Sequence, residues 1–272
     1  DPTAQQQFAL FNGLSQAHPL RGFHAGNRDS LPVAQPEFQQ ALQSFYQRYY
    51  QTGQMTLSLA GPQSLEELRG MAEAFGSAIA KGKFVPQQAP TPLMDTSDKS
   101  YQQAGERRLD LLFALEALPA SSAQAQAFLC HWLNAAKPGG LLAQLHECGL
   151  TDSLKAAPLY QFAGQALLHI EFTLPANATP NGIRERLLDW LGFFASQQPW
   201  TRLREEYAAL QLRQQQVSGA LQLARLDSEQ RETGLSESGV AALKKVLKQI
   251  GAVDNFTGQW QLPTPNPFLR VE

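Results

Sequence analysis

Apolar and polar residues alternate along most of this chain with a helical period, and over four short stretches with a strand period. In residues 5–15 (QQQFALFNGLS), Phe8 and Phe11 share a face and Gly13 can close a helix. Residues 37–50 repeat Phe38, Leu42, Phe45 and Tyr49 on one side, which predicts an amphipathic helix. Residues 55–59 (MTLSL) alternate with period two, the mark of a half-buried strand. After the break at Gly61-Pro62, Ser64 and Glu67 have capping-box spacing. The helix they start turns Leu65, Leu68, Met71, Ala72 and Phe75 inward and ends near Gly82.

Residues 84–97 carry Pro86, Pro90 and Pro92 without periodicity and read as a linker. Beyond it, residues 108–115 (RLDLLFAL) are predicted as a strand. Ser121 or Ser122 caps a helix to residue 136, and residues 141–148 form a short helix closed by Gly149. Residues 154–160 form a further strand, and residues 164–174 (GQALLHIEFTL) the clearest one. There Ala166, Leu168, Ile170, Phe172 and Leu174 face one way, and Leu167, His169, Glu171 and Thr173 the other. Helices follow at 180–196, at 199–225 with Pro199 as its first residue, and at 238–250. A Pro-rich tail, WQLPTPNPFL, begins at Trp260. Alternating rather than wholly apolar strands argue for antiparallel sheets. The expected fold class is therefore α+β: two similar domains, each a mainly antiparallel sheet with helices packed on one face, the first incomplete in this chain.

Composition narrows the possibilities. The 272 residues are 43 % hydrophobic and 17 % charged, which suits packed domains. A net charge of −2 offers no bulk attraction to nucleic acid or anionic lipid. No apolar run reaches the ~20 residues of a membrane span, and no signal peptide is visible. The expected location is cytoplasmic rather than periplasmic. The opening Asp-Pro-Thr suggests a piece or a processed product.

Little in the residues themselves carries chemistry. None of His18, His24, His131, His146 and His169 forms H-x-x-E-H, H-E-x-x-H or H-x-x-x-H. No C-x-x-C, G-x-S-x-G or phosphate-binding glycine motif occurs. His146, Glu147 and Cys148 cannot ligate one ion from consecutive helical positions. Cys130 reads as a small core hydrophobe. His169 and Glu171 share a strand face and read as solvated. His18 and His24 lie in a glycine-containing loop, residues 18–32, and read as satisfying backbone groups. Pro138-Gly139-Gly140 reads as a turn between helices, and Lys244, Lys245 and Lys248 as a solvated helical face.

Several blocks taken together resemble the pitrilysin/insulysin family of inverted-motif zinc peptidases. His18-Pro19 with Phe23, Gly26-Asn27 and Ser30-Leu31 is similar to the family's H-P-x-x-x-F-x-x-G-N-x-x-T/S-L. Phe45-Tyr46-x-x-Tyr49-Tyr50, Met55-x-Leu57 and Gly61-x-x-Ser64-Leu65-x-x-Leu68 resemble its following helix, strand and helix. Pro138-Gly139-x-Leu141-Leu142-x-x-Leu145 and Gly149-Leu150 resemble G-P-G-S-L-L-x-x-L-x-x-x-G-W. Leu262-Pro263-x-Pro265-Asn266-x-Phe268 matches L-P-x-P-N-x-F. The Gln-rich composition, small second domain and Pro-Asn-Pro-Phe tail lean toward the bacterial branch acting in pyrroloquinoline quinone biosynthesis.

The resemblance implies that residues 1–87 are the later part of a catalytic-type first domain and residues 88–272 a second, non-catalytic domain. It implies zinc in the full-length protein, with its ligands upstream of Asp1, so that no catalytic or metal residue is assigned here. In the family the zinc activates a water that attacks the scissile peptide bond. The implied partners are a peptide substrate and the rest of the polypeptide, without nucleic acid or membrane. The segment would supply chamber wall and substrate anchoring. The anchoring positions implied are Ala135, Pro138, Gly139 and Gly140 around the turn, and Ala156, Ala157, Leu159 and Tyr160 on the following strand. Ala135-Ala136-Lys137 stands where the family has H-E-G, so a carboxylate that could pair a substrate amine is missing. The alternative is an inactive, peptidase-like structural or substrate-presenting subunit. A stand-alone peptide-binding module would require this segment to fold alone, against its open edges.

Overall fold

The computed structural model describes residues 2–21, 26–88, 90–94, 105–229, 233–252 and 255–269. In chain order the elements are α1 (Pro2–Phe11), α2 (Pro36–Tyr49), a 3-10 turn (Thr52–Gln54), α3 (Leu65–Ala78), β1 (Arg108–Leu115), α4 (Ser122–Leu133) and α5 (Leu141–Glu147). There follow β2 (Ser153–Phe162), β3 (Gln165–Thr173), α6 (Pro180–Ser196), α7 (Thr201–Gln216), α8 (Ala220–Ser228) and α9 (Glu237–Ile250). They divide into a sheet unit (Asp1–His18, Thr91–Arg213, Glu232–Glu272) and a helical unit (Pro19–Pro90, Gln214–Arg231).

The sheet unit is built on three antiparallel strands in the order β1-β3-β2. β3 is central, paired with β1 along one edge and β2 along the other. Ala166, Leu168, Ile170 and Phe172 join the main core with Phe128 and Trp132 of α4, Trp190 and Phe194 of α6, and Leu243 and Val246 of α9. β2 and β3 turn back on each other through Ala163 and Gly164, at φ +48° and +80°. Positive φ at both positions suits the twist of a two-residue hairpin. Ser236 caps α9 by accepting from the Gly239 N–H at 3.2 Å, and Gly251 closes it at φ +87°. Cys130 is buried and Cys148 exposed, both with free thiols. Burial pushes the Cys130 thiol up to about 12, in keeping with a core hydrophobe.

In the helical unit, Ser64 and Glu67 form the expected capping box. The Ser64 N–H donates to Glu67 Oε2 at 2.8 Å, and the Glu67 N–H to Ser64 Oγ at 3.3 Å. The 3-10 turn is tied down by Gln51, whose Oε1 accepts from the Gly53 N–H at 2.6 Å and whose Nε2 donates to the Lys83 carbonyl at 2.7 Å. Gly53 is required there, since a Cβ would lie 2.5 Å from the Lys83 backbone.

Two elements differ from expectation. Residues 55–59 are extended but form no strand, because a strand exists only by pairing and the helical unit offers no second strand among the described residues. The helix expected over 199–225 is two helices. It begins at Thr201 because Trp200 adopts φ +58°, which buries its ring and lets Nε1 donate to the Phe194 carbonyl at 2.7 Å. It breaks at residues 217–219, where Ser218 Oγ donates back to the Gln214 carbonyl at 2.6 Å and Gly219 takes the extended N-cap conformation of α8. A glycine and a β-branched valine are poor helix formers there.

Candidate functional site

The eight positions expected to anchor a substrate fall into two groups, joined through the end of α4. The first is the turn between α4 and α5. Gly139 has φ +84°, and a Cβ on it would stand 2.7 Å from the Leu262 carbonyl oxygen. A Cβ on Gly140 would stand 2.9 Å from the Ala135 carbonyl. The carbonyl of Pro138 accepts from Thr264, from N–H at 2.9 Å and from Oγ1 at 3.0 Å. The tail resembling L-P-x-P-N-x-F therefore lies on this turn, and the glycines are what lets it approach. Arg202 donates to the Pro263 carbonyl at 2.7 Å, and the Asn266 N–H to Glu206 Oε2 at 3.4 Å.

Lys137, beside the glycines, forms an ion pair with Glu206 of α7, which is only 6 % exposed. The Lys137 ammonium also lies 5.6 Å from the Trp132 ring centroid. A carboxylate thus does stand near the turn, but it is spent on Lys137 and the tail. His131 packs its ring 5.0 Å from that of Tyr207. Burial, then the Lys137 charge, hold its imidazole below the usual histidine range, against a smaller opposing pull from Glu206.

The second group lies on β2, an edge strand. Ala156 is buried and pairs with Ile170, and Ala157 pairs with His169. The register then slips, so that Tyr160 opposes Leu167 and Leu159 is the extra residue of a bulge. The Tyr160 ring meets that of His18 edge-on at 5.6 Å. Burial, then the Glu116 charge, push the Tyr160 phenol up. His18 is itself buried, with Nε2 3.2 Å from Gln165 Oε1, and Gln165 donates on to the Thr91 carbonyl at 2.8 Å. It joins a side-chain chain of bonds in the sheet unit, reaching Gln165 on β3 and Tyr160 on β2. Phe23 and His24 lie outside the described residues.

Between the groups sits Asn134, the residue that ends α4. Its Nδ2 donates to the Ala156 carbonyl at 2.9 Å, and its Oδ1 accepts from the Ala156 N–H at 2.7 Å. No sequence signal pointed to it, since its partner is twenty-two positions away.

The other face of the sheet carries a polar cluster. His169 Nε2 lies 2.8 Å from Asp110 Oδ1, Gln6 Nε2 2.5 Å from Glu171 Oε2, and Arg108 Nη1 3.8 Å from the same carboxylate. His169 is 8 % exposed, so the solvated outer face expected for His169 and Glu171 is instead an inter-strand network under α1. The alternation was legible, but the helix covering the polar side was not.

Taken together, the arrangement sets an edge strand, with Ala156 held by Asn134, beside a tightly packed glycine turn. Residues 38–208, more than half of the chain, match the family described as "Peptidase M16 inactive domain". The chain belongs to the M16 peptidase family. It is 59 % identical over 274 residues to "Coenzyme PQQ synthesis protein F" of Pseudomonas protegens, covering 99 % of this chain and 33 % of that protein. The protein of the same name from Pseudomonas syringae pv. tomato is 50 % identical over 282 residues, covering 99 % and 35 %. The chain thus spans about a third of these relatives. Among solved structures it is similar to pitrilysin, with a TM-score of 0.60 at 15 % identity, covering 94 % of this chain and 28 % of that one. That likeness supports the mixed α+β fold. Among the described residues, no helix is long and apolar enough to cross a membrane.

M16 peptidases are generally zinc-dependent. Asp110, His169 and Glu171 do bring three ligand atoms within 4.8 Å of one another. They do not fit a catalytic zinc. His169 is hydrogen-bonded to Asp110, and Glu171 already accepts from the Gln6 amide and faces the Arg108 guanidinium, whose positive charge opposes a cation there.

Proposed function

We propose that this chain is part of the N-terminal half of a zinc metalloendopeptidase that cleaves small peptides inside a closed chamber. Residues 88–272 are the second, non-catalytic domain, and residues 1–87 the later part of the catalytic-type domain. The zinc ligands lie upstream of Asp1, and the partners of this segment are the peptide and the rest of the polypeptide. The segment supplies chamber wall and anchors the substrate, with Ala156, Ala157, Leu159 and Tyr160 on the β2 edge and Ala135, Pro138, Gly139 and Gly140 shaping the turn beside it. The substrate is a precursor peptide, in keeping with the names of the relatives. The observation that carries this reading is 59 % identity along 99 % of this chain to a protein named for coenzyme PQQ synthesis, within a family of peptidases.

A second reading is an inactive, substrate-presenting relative. It is favoured by the match to a domain described as inactive. Metal analysis separates the two. The full-length protein is expected to hold one equivalent of zinc and to lose peptide cleavage on chelation, with recovery when zinc is restored. Metal-free protein, or cleavage indifferent to chelation, overturns the zinc peptidase reading. Substitution of Gly139 is a poor probe of anchoring, because any Cβ there strikes the Leu262 carbonyl.

A further inference from the structure

In an antiparallel ladder, alternate residues of an edge strand turn their N–H and C=O away from the neighbour. On β2 both main-chain groups of Ala156 are turned away from β3, because both are bonded to Asn134. By the same alternation Leu154 and Pro158 share that outer side. Pro158 has no N–H to offer, and the bulge at Leu159 follows immediately. Ala156 is therefore the middle one of three outward rungs, and the last that offers both a donor and an acceptor before the bulge. A primary amide presents the same donor and acceptor as a peptide unit, so the Asn134 side chain makes the two bonds an added strand would make. Its backbone N–H is separately held by the Cys130 carbonyl at 2.9 Å, and the residue is exposed. The side chain can therefore leave without loosening the end of α4.

We propose that Asn134 gates the β2 edge: its amide stands in for a peptide unit at Ala156, and an extended polypeptide binding along β2 exchanges that amide for its own main chain. This rests on the anchoring role proposed above. The exchange swaps two hydrogen bonds for two, so Asn134 does not abolish binding. It sets the register at which an extended chain can pair and weakens the binding of chains that cannot complete both bonds. A plug that serves only to keep the edge from pairing with other chains would look the same in the structure. It would behave differently in the following test.

Full-length wild type, Asn134→Ala and Asn134→Asp are compared on a long unstructured peptide that wild type cleaves, and on the same peptide cut down to the residues flanking the cleaved bond. Asn134→Ala is expected to lower KM for the long peptide about tenfold, within the range that two ordinary hydrogen bonds can withhold, with kcat unchanged. KM for the short peptide stays the same. Asn134→Asp keeps the acceptor for the Ala156 N–H but loses the donor, and falls between. N-methylating the long peptide's backbone residue by residue raises KM at one position in wild type, and by a larger factor in Asn134→Ala. Equal KM for the long peptide in all three proteins, or indifference to N-methylation, overturns the gate while leaving cleavage standing. Absence of cleavage by wild type instead removes the reading on which the gate rests. Should Asn134→Ala fail to fold, the Asn134→Asp series and the methylation series decide alone.

Discussion

The sheet unit and the helical unit contain similar kinds of sequence and reach opposite ends. Both have amphipathic helices with well-spaced apolar faces. In the sheet unit those faces meet β3 and each other, and Phe128, Trp190, Phe194 and Leu243 are fully buried. In the helical unit no residue of α2, α3 or α8 is buried. Leu42, Phe45, Tyr46, Leu65 and Phe75 are all exposed, and the rings of Phe45 and Tyr49 meet each other within the same helix, 4.7 Å apart and tilted by 45°. The difference lies in the partner rather than in the pattern. An apolar stripe states that something will cover it, without stating whether the cover is in the same segment. A chain that spans about a third of its relatives leaves room for that cover elsewhere in the polypeptide.

The sharpest way to break this comparison is to delete one ring on each side. Phe172, 0 % exposed in the centre of β3, should cost about 3–5 kcal/mol when replaced by alanine. Phe45, 54 % exposed on α2, should cost under about 0.5 kcal/mol by the same change in this 272-residue chain. In the full-length protein, Phe45→Ala should approach the cost of Phe172→Ala. Urea unfolding of the two variants, each in the 272-residue chain and in the full-length protein, measures all of this. A Phe45→Ala effect that is equally small in the full-length protein would mean that nothing covers α2.

What could be read from the chain follows the same line. The helices, the capping box of Ser64 and Glu67, and the two-faced pattern of residues 164–174 were legible because each depends on neighbours within a few positions. The residues that organise the candidate site were not. Asn134 serves Ala156, Glu206 serves Lys137, and Gln6 serves Glu171, and each pairing is made by tertiary packing across many positions. The strand expected at residues 55–59 failed for a related reason: its period was local, but its partner was not in the unit. Gly139 shows the limit most clearly. Its place in a turn is a local property, while the Leu262 carbonyl that excludes a side chain lies more than a hundred positions away in sequence.

A smaller effect sharpens the contrast through acidity. In the sheet unit, burial acts on charge: His131 is held below its ordinary value of 6.5 chiefly by desolvation, then by Lys137. In the helical unit, Glu67 is lowered from 4.5 by local hydrogen bonds from Ser64, backbone first and side chain second. A folded-state value depressed below the unfolded one means that the unfolded chain binds the extra proton more readily. The His131 contribution is therefore complete above about pH 6.5. It is lost as pH falls toward and through the lowered value. Melting temperature followed from pH 8 to pH 5 should decline below that point, and His131→Phe should flatten the decline. The Glu67 contribution persists into more acid solution, because its window lies below 4.5. A decline that survives His131→Phe unchanged would assign it to other groups.

The smallest effect tests whether the sheet unit is tuned as closely in its turns as in its core. Ala163 holds φ +48° at the first position of the β2–β3 hairpin, where a Cβ meets the following carbonyl at a cost of about 1 kcal/mol. Asparagine tolerates this conformation, and Asn-Gly is the favoured pair for such a turn. Ala163 is exposed, so the longer side chain displaces nothing. Ala163→Asn should therefore raise stability by up to about 1 kcal/mol, read as a higher urea midpoint at unchanged slope. Glycine at the same position relieves the same clash but gains freedom in the unfolded chain, so Ala163→Gly should gain less than Ala163→Asn. That order separates relief of the left-handed backbone from a general surface effect. If neither variant moves the midpoint, the hairpin opens before the rest of the unit unfolds, and β2 with its Asn134 contact then belongs to a locally yielding edge rather than to the packed sheet.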